Sequence, residues 1–90
     1  MVDTNKQTVL RRLMTLPGVG ASIADDLYGI GVRAPEELRG ADPEALYERI
    51  CARQKARIDR CLLYVMRCAV HYASTETRDP ELLKWWNWKD

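Results

Sequence analysis

Leu16-Pro17-Gly18-Val19-Gly20 is the stretch that decides the fold. Pro17 stops the helix before it, because the residue preceding a proline is pushed out of the α region. Gly18 and Gly20 let the chain turn back tightly, since glycine takes positive φ without the Cβ clash other residues suffer. Val19 is expected to point into a core and pin the turn. A new helical pattern starts near Ala21. Gly18, Val19 and Gly20 are therefore expected to present backbone N–H groups at a helix N-terminus. Such donors lack intrahelical partners and carry partial positive charge. A phosphate is their natural ligand.

Upstream, residues 5–15 carry Val9, Leu10, Leu13 and Met14 on one helical face, with Arg11 and Arg12 outside it. Thr4 is placed to cap this helix, and Gln7 completes a capping box. Downstream, residues 21–28 predict a second helix with Ile23, Ala24 and Leu27 facing inward and Gly29 as its C-terminal cap. Ile30-Gly31-Val32 repeats the hydrophobic–glycine–hydrophobic turn loosely, so residues 27–39 echo the first turn. Pro35 opens a short helix over 35–39, with Glu36 and Glu37 at its positive end and Gly40 closing it. Asp42-Pro43-Glu44 opens a fourth helix by the same logic, with Leu46, Tyr47, Ile50 and Cys51 inside. A break near residues 53–55 is one reading, and continuity into the next helix is the other, because no glycine or proline marks it. The pattern over 56–73 predicts the longest and most apolar helix, central to the fold, with Ile58, Cys61, Leu62, Val65, Cys68, Ala69 and Tyr72 buried. Arg57, Arg60, Tyr64, Arg67 and His71 recur at steps of three and four, forming a basic stripe on its other face. Residues 74–78 read as a polar link. Asp79-Pro80-Glu81 starts a last short helix, and Trp85, Trp86 and Trp88 are expected to fold back onto the bundle, since apolar rings are costly to leave wet.

The expected fold class is thus all-α: one domain over 1–90, a compact bundle of five to six short helices. It contains a core hairpin motif at 9–28, a second hairpin-like turn at 27–39, a central helix at 56–73 and a tryptophan-rich cap at 79–90. At 90 residues and 47% hydrophobic, the chain can bury a core of its own. No apolar run is long enough to span a membrane. The first residues lack a basic region followed by an apolar stretch, so the expected location is cytoplasmic.

The net charge of +1 hides an uneven distribution. Residues 21–48 carry Asp25, Asp26, Glu36, Glu37, Asp42, Glu44 and Glu48 against Arg33 and Arg39. Residues 49–72 carry Arg49, Arg53, Lys55, Arg57, Arg60 and Arg67 against Asp59 alone. A basic zone exists without an overall basic balance. Asp25 and Asp26 follow the turn closely and would repel any phosphate they faced.

Catalytic and metal chemistry find no pattern here. Cys51, Cys61, Cys68 and His71 are the right elements for zinc, but the paired C-x-x-C knuckle is missing and the cysteines sit at expected core positions. Cys61 and Cys68 lie about 10 Å apart along a helix, too far for a disulfide. His71 is the one histidine and has no nucleophile–acid constellation around it. No catalytic residue, metal, cofactor or small-molecule substrate is expected.

Four segments together resemble one family: Leu16-Pro17-Gly18-Val19-Gly20, Asp42-Pro43-Glu44, the run 60–70, and the tail Leu83-Lys84-Trp85-Trp86-Asn87-Trp88. It is the small bacterial "pathogenicity locus" family of helix-hairpin-helix proteins, some of whose members are labelled mitomycin resistance proteins. Residues 13–39 are also similar to the helix-hairpin-helix region in the C-terminal domain of the RNA polymerase alpha chain, and to the TfoX C-terminal domain. The resemblance implies tandem hairpin motifs and a link to DNA. Carried over by position, the phosphate-binding residues fall on Gly18, Val19, Gly20 and Ser22.

The expected function is a non-enzymatic DNA-binding module without sequence preference. It grips backbone phosphate through the turn, with Ser22 assisting. Arg11 and Arg12 add charge, and Arg57, Arg60, Tyr64 and Arg67 form a second candidate surface whose arginines suit phosphate and whose tyrosine suits a base. The alternative is a protein-interaction module in which the turn and the acidic segment face another protein.

Overall fold

The computed structural model describes residues 5–75 and 79–89. The expected Thr4 cap and positions 76–78 of the polar link lie outside the described residues. Four α-helices are present: α1 (Lys6–Leu13), α2 (Ala21–Gly29), α3 (Pro43–Gln54) and α4 (Cys61–Ser74). Pro35–Leu38, Pro80–Leu83 and Trp85–Trp88 each form one 3₁₀ turn. Among the described residues there is no strand. Among the described residues the expected five to six helices are four α-helices, because the segments opened by Pro35 and Pro80 stop after a single tight turn. No helix of the described residues is long and apolar enough to cross a membrane.

Capping chemistry sets most of the starts. The side chains of Asn5, Asp42 and Asp79 accept from the N–H two residues on, at 2.9, 2.9 and 3.0 Å. Proline follows directly at 43 and 80, where its missing N–H costs nothing. The ends are less plain. Gly29 is the last residue of α2 rather than its cap, and Gly31, at φ +101°, takes the left-handed position. Gly31 N–H donates to Tyr28 O at 3.1 Å and Val32 N–H to Leu27 O at 3.0 Å. This pair of bonds closes the helix and brings Val32 onto Leu27, both buried. α3 ends with the same two bonds: Lys55 N–H to Ala52 O and Ala56 N–H to Cys51 O, each 3.2 Å. Here the left-handed residue is Lys55, at φ 54°.

α3 and α4 are thus separate, and the expected helix over 56–73 begins only at Cys61. Residues 55–60 form a loop, tied back where the Tyr47 hydroxyl donates to Ile58 O. Asp59 ends it by accepting from Cys61 N–H at 2.8 Å.

α4 is the spine. It packs on α3, on the Pro35–Leu38 turn and on both C-terminal turns, while α1 pairs with α2 and α2 meets α3. Leu13, Leu27, Leu38, Ile50 and Met66 are all but sealed from solvent. Each such side chain contributes about 1.5–3 kcal/mol by leaving water. Leu16 and Val19 join this core from the turn, so Val19 pins it as the sequence suggests. Met14 and Cys61 are exposed, against expectation. Met14 has left α1 and follows the turn outward. Cys61 sits on the first residue of α4, beyond the reach of the core.

Candidate functional site

The chain leaves α1 through successive tight turns, Thr15 N–H to Arg12 O and Leu16 N–H to Leu13 O. Val19 N–H then donates to Leu16 O at 3.2 Å, so this amide is spent inside the turn. Gly18 stands at φ +78° and Gly20 at φ −95°, ψ −171°. Gly20 is the N-cap of α2 and supplies no side-chain cap to the amides that follow. A Cβ built on Gly20 would meet nothing within 4 Å. The start of α2, with Gly20, Ala21 and Ser22 all exposed, is an open row of donors.

Gly18 differs. A Cβ there would lie 3.0 Å from Trp85 Cδ1. The tail comes back to the turn itself, and the indole of Trp85 covers one side of it. Trp86 stands edge-on to Trp85 at 5.8 Å and is half exposed.

The two acids after the turn do not face an open anion site. Asp25 pairs with Lys6 at 3.0 Å, and that ammonium holds its carboxyl below the usual range. Asp26 is buried, pairs with Arg53 at 3.4 Å and accepts from Gln54 Nε2 at 2.5 Å. Arg53 lies over Gly29, where a Cβ would fall 2.0 Å from its Nε.

Between α2, the 55–60 loop and α4 lies a cleft of about 400 Å³. Gly18 and Ser22 form part of its lining, Trp85 another, and Ile23, Ile58, Leu62 and Val65 supply apolar surface. Asp26, Gln54, Asp59 and Cys61 supply the polar part.

The basic residues divide. Arg11 is exposed beside the turn. Arg12 is exposed too, but engages Glu36 at 3.0 Å. Arg57 and Arg60 are not on α4, as the helical stripe required, because that helix starts after them. They flank Ile58 and Asp59 in the 55–60 loop, whose side chains line the cleft, but are not themselves among its lining residues. Arg67 and Tyr64 go elsewhere. Arg67 donates to Trp88 O at 2.8 Å, lies 3.8 Å from Glu44, and sits over the Tyr64 ring at 5.6 Å. His71 meets the Trp88 ring at 5.1 Å. The far half of the expected stripe anchors the tail.

Among the described residues no three of His, Cys, Asp and Glu gather as a metal site. Cys61 is exposed, yet its thiol is pushed up in pKa, first because the thiol donates a hydrogen bond to the Asp59 carboxylate and then by partial desolvation. The same contact lowers Asp59. Cys61 is therefore expected to alkylate more slowly near pH 8 than an ordinary thiol, since the thiolate is the nucleophile. Asp59→Asn is expected to speed it several-fold, read by peptide mapping of iodoacetamide adducts over time. An unchanged rate would show that the carboxylate does not restrain the thiol.

Sequence reasoning did not find Trp85 as a neighbour of the turn, nor Asp26, Gln54 and Asp59 as cleft residues. The tail's tryptophans were a signal for packing, with nothing in their spacing to say where.

With this geometry in view, comparisons with known proteins add the following. The model of a family described as "Pathogenicity locus" matches residues 6–90. A protein named mitomycin resistance protein McrB, from Streptomyces lavendulae, is 38% identical over 76 residues, which cover 84% of this chain and 69% of that protein. No solved structure matches.

Proposed function

The chain belongs to the pathogenicity locus family, and on that premise we propose that it is a non-enzymatic DNA-binding module, with Gly18-Val19-Gly20 acting as a helix-hairpin-helix hairpin on backbone phosphate. The observation that carries this reading is the uncapped start of α2: Gly20 holds N-cap geometry, brings no side chain, and leaves the first-turn amides exposed. The N–H groups of Gly18 and Gly20 remain the proposed ligands, with the Ser22 hydroxyl as an added donor. Val19 contributes by seating the turn in the core, since its own amide is internal. Arg11, and Arg57 and Arg60 of the 55–60 loop, supply the long-range charge. Asp25 is paired with Lys6 and Asp26 with Arg53, which offsets the repulsion of these acids for an anion at the turn. Phosphate contacts position a protein without reading bases, so little sequence preference follows.

The test is an anisotropy titration against a labelled duplex at several salt concentrations. Affinity is expected to fall with a log–log slope of about −0.9 per phosphate contact. A module this small offers two or three contacts, so a slope of about −2 to −3 is expected. No binding at low salt, where electrostatic attraction is strongest, would overturn the DNA reading. It would favour a protein partner instead, for which half-exposed Trp86 and Met14 are available.

A further inference from the structure

We propose that the cleft beside the hairpin receives an unstacked nucleobase, guanine best of all, whose own phosphate is held at the rim by the hairpin amides. The inference rests on the phosphate reading above and extends it from duplex backbone to a nucleotide that has left the stack.

The cleft measures about 400 Å³, within the roughly 300–1,000 Å³ usual for small-ligand sites. A duplex cannot enter it, whereas a single planar base can. The Trp85 indole lines it together with aliphatic Ile23, Ile58 and Leu62. Such a lining suits a flat aromatic ring, which gains stacking from the indole and dispersion contacts from the aliphatic side chains.

The polar groups select the ring's chemistry. Among the described residues no cationic side chain lines the cleft, while two carboxylates do, Asp26 and Asp59. A phosphate is thus unwelcome beside them, and its place is at Gly18 and Ser22, which belong both to the cleft lining and to the hairpin. Ionised carboxylates only accept hydrogen bonds, so they demand N–H donors. Asp59 is kept ionised by its contacts with Cys61. Both contacts on Asp26 fall on Oδ1, which leaves Oδ2 outside them. Guanine offers adjacent ring N–H and exocyclic amino donors, a two-point match to one carboxylate. Thymine offers a single N–H flanked by carbonyls, which a carboxylate repels. Reading an extruded base by its Watson–Crick edge is how proteins recognise bases taken out of the stack.

The experiment uses the full chain and three labelled duplexes that differ at one position: fully paired, with one extra-helical guanine, and with one extra-helical thymine. A separate arm titrates free deoxyguanosine monophosphate, read by the backbone resonance of Ser22 and the indole resonance of Trp85. The extra-helical guanine is expected to tighten binding on the order of tenfold over the paired duplex, the scale of one good two-point base contact. Thymine should gain much less. Asp59→Asn and Gln54→Ala, checked for fold by circular dichroism, are expected to shrink the guanine advantage without weakening the paired duplex. Equal affinity for all three duplexes, with the expected salt slope, would overturn this inference and leave the hairpin reading standing. No binding to any duplex would overturn the hairpin reading. In that case, shifts at Ser22 and Trp85 with the free nucleotide would support the cleft as a nucleotide site, and their absence would overturn it.

Discussion

Gly20→Asp is expected to raise the stability of the domain while sharply weakening the proposed grip on DNA. The two effects share a cause. Gly20 stands at φ −95°, ψ −171°, the backbone shape of an N-cap, and a Cβ there touches nothing within 4 Å. Aspartate at such a position accepts from the second or third amide of the helix and gains a few tenths of a kcal/mol over glycine. Its charge adds about 0.3–1 kcal/mol against the helix dipole. The melting temperature should therefore rise by about 2–10 °C, at roughly 4–8 °C per kcal/mol for a domain of this size. The same carboxylate caps the first-turn amides beside the Gly18 and Gly20 N–H groups proposed for phosphate, and its charge repels a phosphate held there. Losing a hydrogen bond to a charged group costs about 1.5–3 kcal/mol, so affinity should fall at least about tenfold. Gly20→Ala gives the opposite order. Alanine cannot cap, so stability falls slightly, but the amides stay open and binding persists. Thermal melts with anisotropy on the three proteins decide the matter. A folded, more stable Gly20→Asp protein with unchanged affinity would sink the hairpin mechanism.

The turn was legible because its physics is local. Pro17, the glycine at φ +78° and the buried valine act within a few residues of one another. The starts of α3 and of the Pro80 turn were legible for the same reason, each an aspartate cap followed by proline. Helix ends were harder, and the contrast between α2 and α3 says why. Both close with the same pair of hydrogen bonds, but α2 places Gly31 at the left-handed residue and α3 places Lys55 there. Only glycine announces that conformation in a sequence. With lysine, left-handed backbone costs about 1–2 kcal/mol, and the surrounding contacts must supply it. Two such contacts are visible: Tyr47 holds the loop at Ile58, and Asp59 restarts the chain as α4. The first reaches across the break, and the second fixes the start of α4 beyond it. The basic stripe failed through this one residue, since its spacing assumed a helix through Arg57 and Arg60. The cleft was illegible for a different reason. Its lining comes from four separated parts of the chain, and no periodicity links Ser22, Gln54, Asp59 and Trp85.

Trp85→Ala is expected to be the most damaging change in the tail, costing about 3 kcal/mol. Truncating a core tryptophan costs about 3–5 kcal/mol, and a partly exposed one belongs at the lower end. The melting temperature should drop by about 10–20 °C. Trp86→Ala, by contrast, should stay within about 1 kcal/mol, because that ring is 49% exposed and loses mainly its edge-on contact with Trp85. Urea titrations of both proteins make the comparison, and equal midpoints would mean that Trp85 is not seated on the turn. The asymmetry matters because Gly18 lacks a Cβ for two independent reasons. Its φ of +78° disfavours one, and Trp85 Cδ1 would stand 3.0 Å from it. Turn and tail are therefore shaped to each other, although 67 residues separate Gly18 from Trp85. The further anchors all lie within the tail or on α4. Arg67 donates to Trp88 O, the Trp88 indole donates to Leu82 O at 2.9 Å, and Asn87 donates to Glu81 O at 2.8 Å. The C-terminal turns thus hold a rigid indole against the 16–20 turn from outside the α1–α2 pair it joins. Removing that indole should loosen the turn before it loosens the α3–α4 pair. Hydrogen exchange on Trp85→Ala is expected to show this as faster exchange at Val19 N–H than at amides in the middle of α4.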